Sequence, residues 1–129
     1  MSPVGNSRTV LVVDDAEDCA ATLDLALQTL PGVAVMTAGS AEAALAMLEQ
    51  DRVAAVITDI HLPEMSGLEL ISHLRAQARW RALPILVVSA DPDPGTPAHA
   101  LGLGANAYFA KPFSPGAVRR KLEELIDAS

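Results

Sequence analysis

Residues 54–70 read AAVITDIHLPEMSGLEL. The stretch opens as a continuous apolar run, Ala54, Ala55, Val56 and Ile57, and closes in a helical pattern. A run without polar alternation fits a strand buried on both faces, the habit of parallel sheets. Between strand and helix stands Asp59, an acid at the tip of a segment that belongs in the interior. An ionised carboxylate there is costly unless opposite charge or hydrogen bonds offset the lost water. The rest of the chain has to bring a partner to that tip.

Four further runs look alike: TVLVV (9–13), VAVMT (33–37), PILVVS (84–89) and AYFA (107–110). Helical patterns lie between them. Leu23, Ala26, Leu27 and Leu30 follow the i, i+3, i+4, i+7 spacing, and Pro31-Gly32 ends that segment. Ser40 is placed to cap a helix with Ala41, Ala44, Leu45 and Leu48 on one face, and Leu68, Ile71 and Leu74 form a third stripe. Ser114-Pro115 reads as cap and first turn of a last helix whose apolar face is Val118, Leu122, Leu125 and Ile126. The fourth helix is irregular. DPDPGTP (91–97) forbids a start before Thr96, Thr96-Pro97 is a cap-and-start signal, and Gly102 and Gly104 close it, so a long loop and a stunted helix are expected. Five β-then-α units in one domain imply an α/β fold, a doubly wound five-stranded parallel sheet with helices on both faces.

The bulk numbers agree with that reading. A chain of 129 residues holds one core, and with half its residues apolar but only 3% aromatic, that core is Ala, Val, Leu and Ile. A net charge of −7 argues against direct binding of nucleic acid. No apolar stretch approaches the roughly 20 residues of a membrane span. The opening MSPVGNSR lacks the apolar core of a signal peptide, and Cys19, the single cysteine, permits no internal disulfide; a cytoplasmic location is expected. Residues 1–8 read as a flexible lead-in, residues 9–127 as the domain, and no effector domain follows Ser129 in this sequence.

In an open α/β sheet, ligands bind beyond the carboxyl ends of the strands, where strand order reverses. The residues at those ends are Asp14 and Asp15, Asp59, Ser89, and Lys111 before Pro112. Clustered carboxylates repel and raise each other's pKa. A hard dication with oxygen ligands, Mg²⁺ or Mn²⁺, relieves this, and the Lys111 ammonium supplies a second counter-charge. Asp59, held ionised, can then attack phosphorus and form an aspartyl-phosphate. Metal and lysine would share the charge on the transferring oxygens, with the Ser89 hydroxyl placed to donate to one of them.

VVDDAED, VITDIHLPEMSGLEL, VVSA and GANAYFAKPF, in that order over residues 9–126, resemble the signature segments of the receiver domain of two-component response regulators. The resemblance implies a flavodoxin-like fold with strand order 2-1-3-4-5. It implies Asp59 as phosphoacceptor. Asp15, Asp59 and the backbone carbonyl of His61 would be metal ligands, and Asp14 would hold a metal-bound water. Ser89 and Tyr108 match the switch residues, Lys111 the phosphate-binding lysine, and Pro112 a proline that commonly follows a cis bond. His61 and Asp91 match variable positions that influence phosphoryl lifetime. The implied activity is transfer of a phosphoryl group to Asp59 from a phosphohistidine on a histidine kinase or histidine phosphotransfer protein, followed by slow self-hydrolysis. The protein is then a signalling phosphoacceptor that catalyses its own modification rather than an enzyme acting on other substrates. Its downstream target would be a protein reached through the face of helix four, strand five and helix five. The Pro-rich loop and short fourth helix depart from the family pattern on that face.

Plainer readings stand beside these. Asp14 and Asp15 suit a helix cap, Cys19 a packing position, Arg75, Arg79 and Arg81 around Trp80 a solvated helix end, and Arg119, Arg120 and Lys121 a solvated face. His73 and His99 read as surface or half-buried helix residues. Rival functions are an aspartyl phosphohydrolase, whose D-x-D-x-[TV] general acid is missing here, and a receiver-like interaction module that takes no phosphate. A flavodoxin-like electron carrier lacks its phosphate-cradling loop here, and a P-loop nucleotidase lacks G-x-x-x-x-G-K.

Overall fold

The computed structural model describes residues 8–128. The elements in order are β1 Arg8–Val13, α1 Glu17–Leu27, β2 Val33–Ala38, α2 Ala41–Gln50, β3 Ala55–Thr58, α3 Gly67–Arg75, a 3-10 turn Ala78–Trp80, β4 Ile85–Ser89, α4 Thr96–Leu103, β5 Ala107–Ala110 and α5 Pro115–Ala128. Every pairing is parallel and the order is β2-β1-β3-β4-β5, as the resemblance implies.

The period-2 pleat divides the apolar runs between two cores. Leu11, Val13, Val56, Ile85 and Val87 face α2, α3 and α4, meeting Ala44, Leu48, Leu70, Ile71, Leu74 and Ala100. Val10, Val12, Ala55, Ile57, Leu86 and Val88 face α1 and α5, meeting Leu23, Leu27, Val118, Leu122 and Ile126. Strands apolar on both faces are thus required by helices on both faces. β1 lies between β2 and β3, so the winding reverses beside it and the carboxyl ends of β1 and β3 open a crevice.

Local signals place the helices. The Ser40 hydroxyl accepts the Ala43 N–H at 3.1 Å and caps α2. Ser66 and Glu69 form a reciprocal capping box at α3. The Ser114 hydroxyl accepts the Ala117 N–H at 3.2 Å at the start of α5. Three expectations are corrected. Leu30 lies beyond α1, because a residue before proline is driven out of helical geometry; its side chain still packs on the α1–α5 core. Thr96 is the first residue of α4 and not its cap, since Asp93 already accepts the Gly95 and Thr96 N–H groups. Arg75 is no solvated helix end: it is half-buried and hydrogen-bonded through Nε and both Nη atoms. Arg79 lies 4.0 Å over the buried Trp80 ring and pairs with Glu49.

Residues 1–7 of the expected lead-in fall outside the described residues. Arg8 opens β1 opposite Val33, and its guanidinium donates to the Ile126 carbonyl at 2.8 Å. Among the described residues no helix is long and apolar enough to cross a membrane.

Leu122 is wholly buried between α5 and the sheet. Leu122→Ala is expected to cost about 2–5 kcal/mol through the cavity it leaves. Urea denaturation checks this: the midpoint falls while the slope stays unchanged.

Candidate functional site

The crevice at the ends of β1, β3 and β5 holds the partner that Asp59 requires. The Lys111 ammonium lies 2.9 Å from Asp59 Oδ2 and 3.3 Å from Asp14 Oδ2. Both acids are buried, at 8% and 7% exposure, so charge compensation here is close to obligatory. Burial works against the Lys111 ammonium, but the hydrogen bond and charge of Asp59, then the charge of Asp14, outweigh it and hold the pKa above the ordinary lysine value. Lys111 is brought there by β5, whose last pairing is Ala110 with Ser89, and by the Lys111 N–H donating to the Ser89 carbonyl at 2.8 Å. The Lys111–Pro112 bond is cis.

The Asp59 carboxylate is oriented by its own loop. Oδ1 accepts the Ile60 N–H at 2.6 Å and the His61 N–H at 3.3 Å. The Thr58 hydroxyl donates to the Asp59 carbonyl at 2.8 Å. Gly67, the first residue of α3, sits against that same carbonyl: a Cβ there would lie 2.0 Å from the Asp59 oxygen. Its N–H donates to the Ile60 carbonyl at 2.8 Å. Neither Thr58 nor Gly67 was singled out from sequence. A glycine in the first turn of an apolar-striped helix was nonetheless a readable sign of close backbone approach.

Asp14 does two jobs: Oδ1 accepts the Ala16 N–H at 2.8 Å ahead of α1, while Oδ2 faces Lys111. The helix-cap expectation for Asp14 is corrected: Ala16 is the N-cap of α1 and no side chain caps it, so Asp14 instead fixes the turn that leads into the helix. Asp15 stands exposed at the rim. Cys19 packs half-buried against the α1–α5 core; burial, then its hydrogen bond to Asp14, pushes its thiol up to about 11, so it stays protonated at neutral pH.

Ser89 is fully buried, and its Oγ accepts the Asp91 N–H at 3.1 Å. Asp91 Oδ2 meets His61 Nε2 at 3.0 Å, bridging the loops after β3 and β4. The Asp93 N–H, with the His61 ring, holds the Asp91 carboxyl below its usual pKa. The Tyr108 ring is half-buried against the α2–α4 core. The structure thus joins Asp14, Asp59 and Lys111 directly, sets Ser89 beside the Asp91–His61 bridge, and leaves Asp15 at the edge.

The donor set suits a hard dication. The acid side chains present only oxygens, and two buried carboxylates face one ammonium. Among the described residues no three His, Cys, Asp or Glu groups gather as a side-chain metal site. A dication there would complete its shell with backbone carbonyl, water or phosphate oxygens.

The model of the response regulator receiver domain matches residues 10–123. A chemotaxis protein CheY homolog of Campylobacter jejuni is 33% identical over 118 residues, covering 91% of each chain. The crystal structure of a response regulator receiver protein from Pseudomonas putida superposes with a TM-score of 0.80 at 36% identity, covering 95% of this chain and 98% of that one. The receiver domain of a sensor histidine kinase from Pseudomonas aeruginosa PAO1, described with a magnesium ion in its active-site cleft, gives 0.83 at 28% identity, covering 94% and 98%.

Two substitutions probe this geometry. Gly67→Ala is expected to displace the Asp59 loop and destabilise the fold by more than the few tenths of a kcal/mol typical of surface changes; a lowered Tm checks it. Lys111→Met strips both acids of their counter-charge. A loss of about 3–5 kcal/mol at neutral pH is expected, read by urea denaturation. Because the folded lysine pKa is raised, the parent's ammonium contribution is complete below the ordinary value of 10.5 and lost only as pH climbs through the folded value.

Proposed function

The chain belongs to the response regulator receiver family, and from that premise we propose that it is the phosphoacceptor of a two-component relay, with Asp59 receiving the phosphoryl group. The observation that carries this reading is the Lys111 ammonium 2.9 Å from Asp59 Oδ2. Two backbone N–H groups fix Oδ1, leaving Oδ2 beside the ammonium as the attacking oxygen. Attack forms the O–P bond of an acyl phosphate as the N–P bond of the donor phosphohistidine breaks, returning the electron pair to the imidazole. Lys111 then meets charge on the phosphoryl oxygens. Ser89 Oγ already accepts the Asp91 N–H, so its proton is available to donate to the phosphoryl group.

Magnesium or manganese, held by Asp14, Asp15, Asp59 and the backbone carbonyl of His61, would supply further positive charge to the transferring oxygens. Attack of water on phosphorus returns the Asp59 carboxylate and inorganic phosphate. Ser89 and Tyr108 would couple the phosphorylated state to a protein target. The donor would be a histidine kinase or histidine phosphotransfer protein, and the setting cytoplasmic.

Incubation with acetyl phosphate, with and without Mg²⁺, followed by intact mass, tests the reading. One added phosphoryl group that depends on the metal and vanishes in Asp59→Asn is expected. Lys111→Met is expected to slow its formation about 100-fold or more. Rapid turnover of many phosphoesters would instead indicate a hydrolase. No adduct at all would indicate an interaction module.

A further inference from the structure

The end of α4 remote from the acids is clamped by one side chain. Arg75, on the last turn of α3, donates from Nε and Nη2 to the Gly104 carbonyl at 3.0 and 2.8 Å, and from Nη1 to the Trp80 carbonyl at 2.8 Å. Nη2 also reaches Asn106 Oδ1 at 3.1 Å, which accepts the Ile85 N–H at 2.8 Å. α3, the 3-10 turn, the end of α4 and the start of β4 thus meet on one guanidinium. Its stem packs on Gly104, where φ is +120° and a Cβ would come within 2.7 Å of Arg75 Cγ. A planar fork with five donors suits such a junction; an ammonium cannot reproduce it.

The other end of α4 is joined to the site by a strut. Asp91 Oδ1 accepts the Asp93 N–H at 2.8 Å, and Asp93 Oδ1 accepts the Gly95 N–H at 2.9 Å. The Asp93 carbonyl accepts the Thr96 N–H at 3.1 Å. Pro92 and Pro94 alternate with these acids and fix φ between the turns. The segment expected as a long loop is therefore a hydrogen-bonded link from Ser89 Oγ, which accepts the Asp91 N–H, to the first turn of α4. α4 itself, TPAHALGL, carries no Asp, Glu, Lys or Arg to anchor it along its length.

We propose that Arg75 is a pivot pin: a displacement entering α4 from Ser89 through the Asp-Pro strut becomes a tilt about the clamped Gly104 end. The proposal rests on the phosphoacceptor reading for the event that moves Ser89. Its distinct content is how α4 answers. An eight-residue helix is about 12 Å long, so a push of about 1 Å at its upper end tilts it about 5°. The tilt alters the groove of about 470 Å³ between α3 and α4, where Met65 and Leu68 face His99 and Leu103.

Amide exchange read by mass spectrometry, with and without acetyl phosphate and Mg²⁺, tests the pivot on samples whose intact mass is also measured. In the parent chain the His99 and Ala100 amides are expected to change exchange rate severalfold, while those of Gly104 and Ala105 hold. In Arg75→Met or Arg75→Lys the lower amides are expected to respond as well. In the Pro92→Ala, Pro94→Ala double variant, which leaves the clamp intact, phosphoryl gain persists but the upper response falls to about half or less. A phosphorylated parent whose α4 responds uniformly overturns the pivot, as does a full upper response in the double variant. A parent that gains no phosphoryl group overturns the phosphoacceptor reading, and the pivot with it.

Discussion

The contact of the Lys111 ammonium with Asp59 and Asp14 ties the last strand of the sheet to its third and its first. Each acid would be costly to keep ionised in its buried position without it. The sheet order makes the contact possible: β1 and β3 are neighbours, β4 carries Ser89 alongside, and β5 lifts Lys111 to the same edge. No segment of the chain contains the site by itself.

The backbone around Asp59 supplies what the lysine cannot, a fixed orientation. Ile60 and His61 hold one oxygen, Thr58 holds the carbonyl, and α3 seats its first residue against that carbonyl only because residue 67 is glycine. The capping box of Ser66 and Glu69 secures the same helix end. The placement of Asp59 thus depends on how closely a helix can be parked, which is a matter of packing as much as of charge.

Much of this was legible beforehand. Continuous apolar runs announced a parallel sheet because both faces are covered, and the acids, serine and lysine stood at strand ends where such sheets form crevices. What escaped was set by contacts far apart in sequence. Arg75 looked solvated because nothing local reveals that Gly104 and Asn106 come to meet it. Leu30 kept the helical spacing, yet Pro31 had the stronger effect on its backbone. The Asp-Pro alternation of 91–95 read only as a long loop, whereas each aspartate satisfies the N–H two residues on.

Asp14 and Lys111 are 97 positions apart. While the polypeptide is still being made, its acids are present long before Lys111 has left the ribosome. The charge-compensated crevice is therefore incomplete until β5 has docked. Any fragment cut short before that strand would keep the aspartates without the ammonium that offsets them.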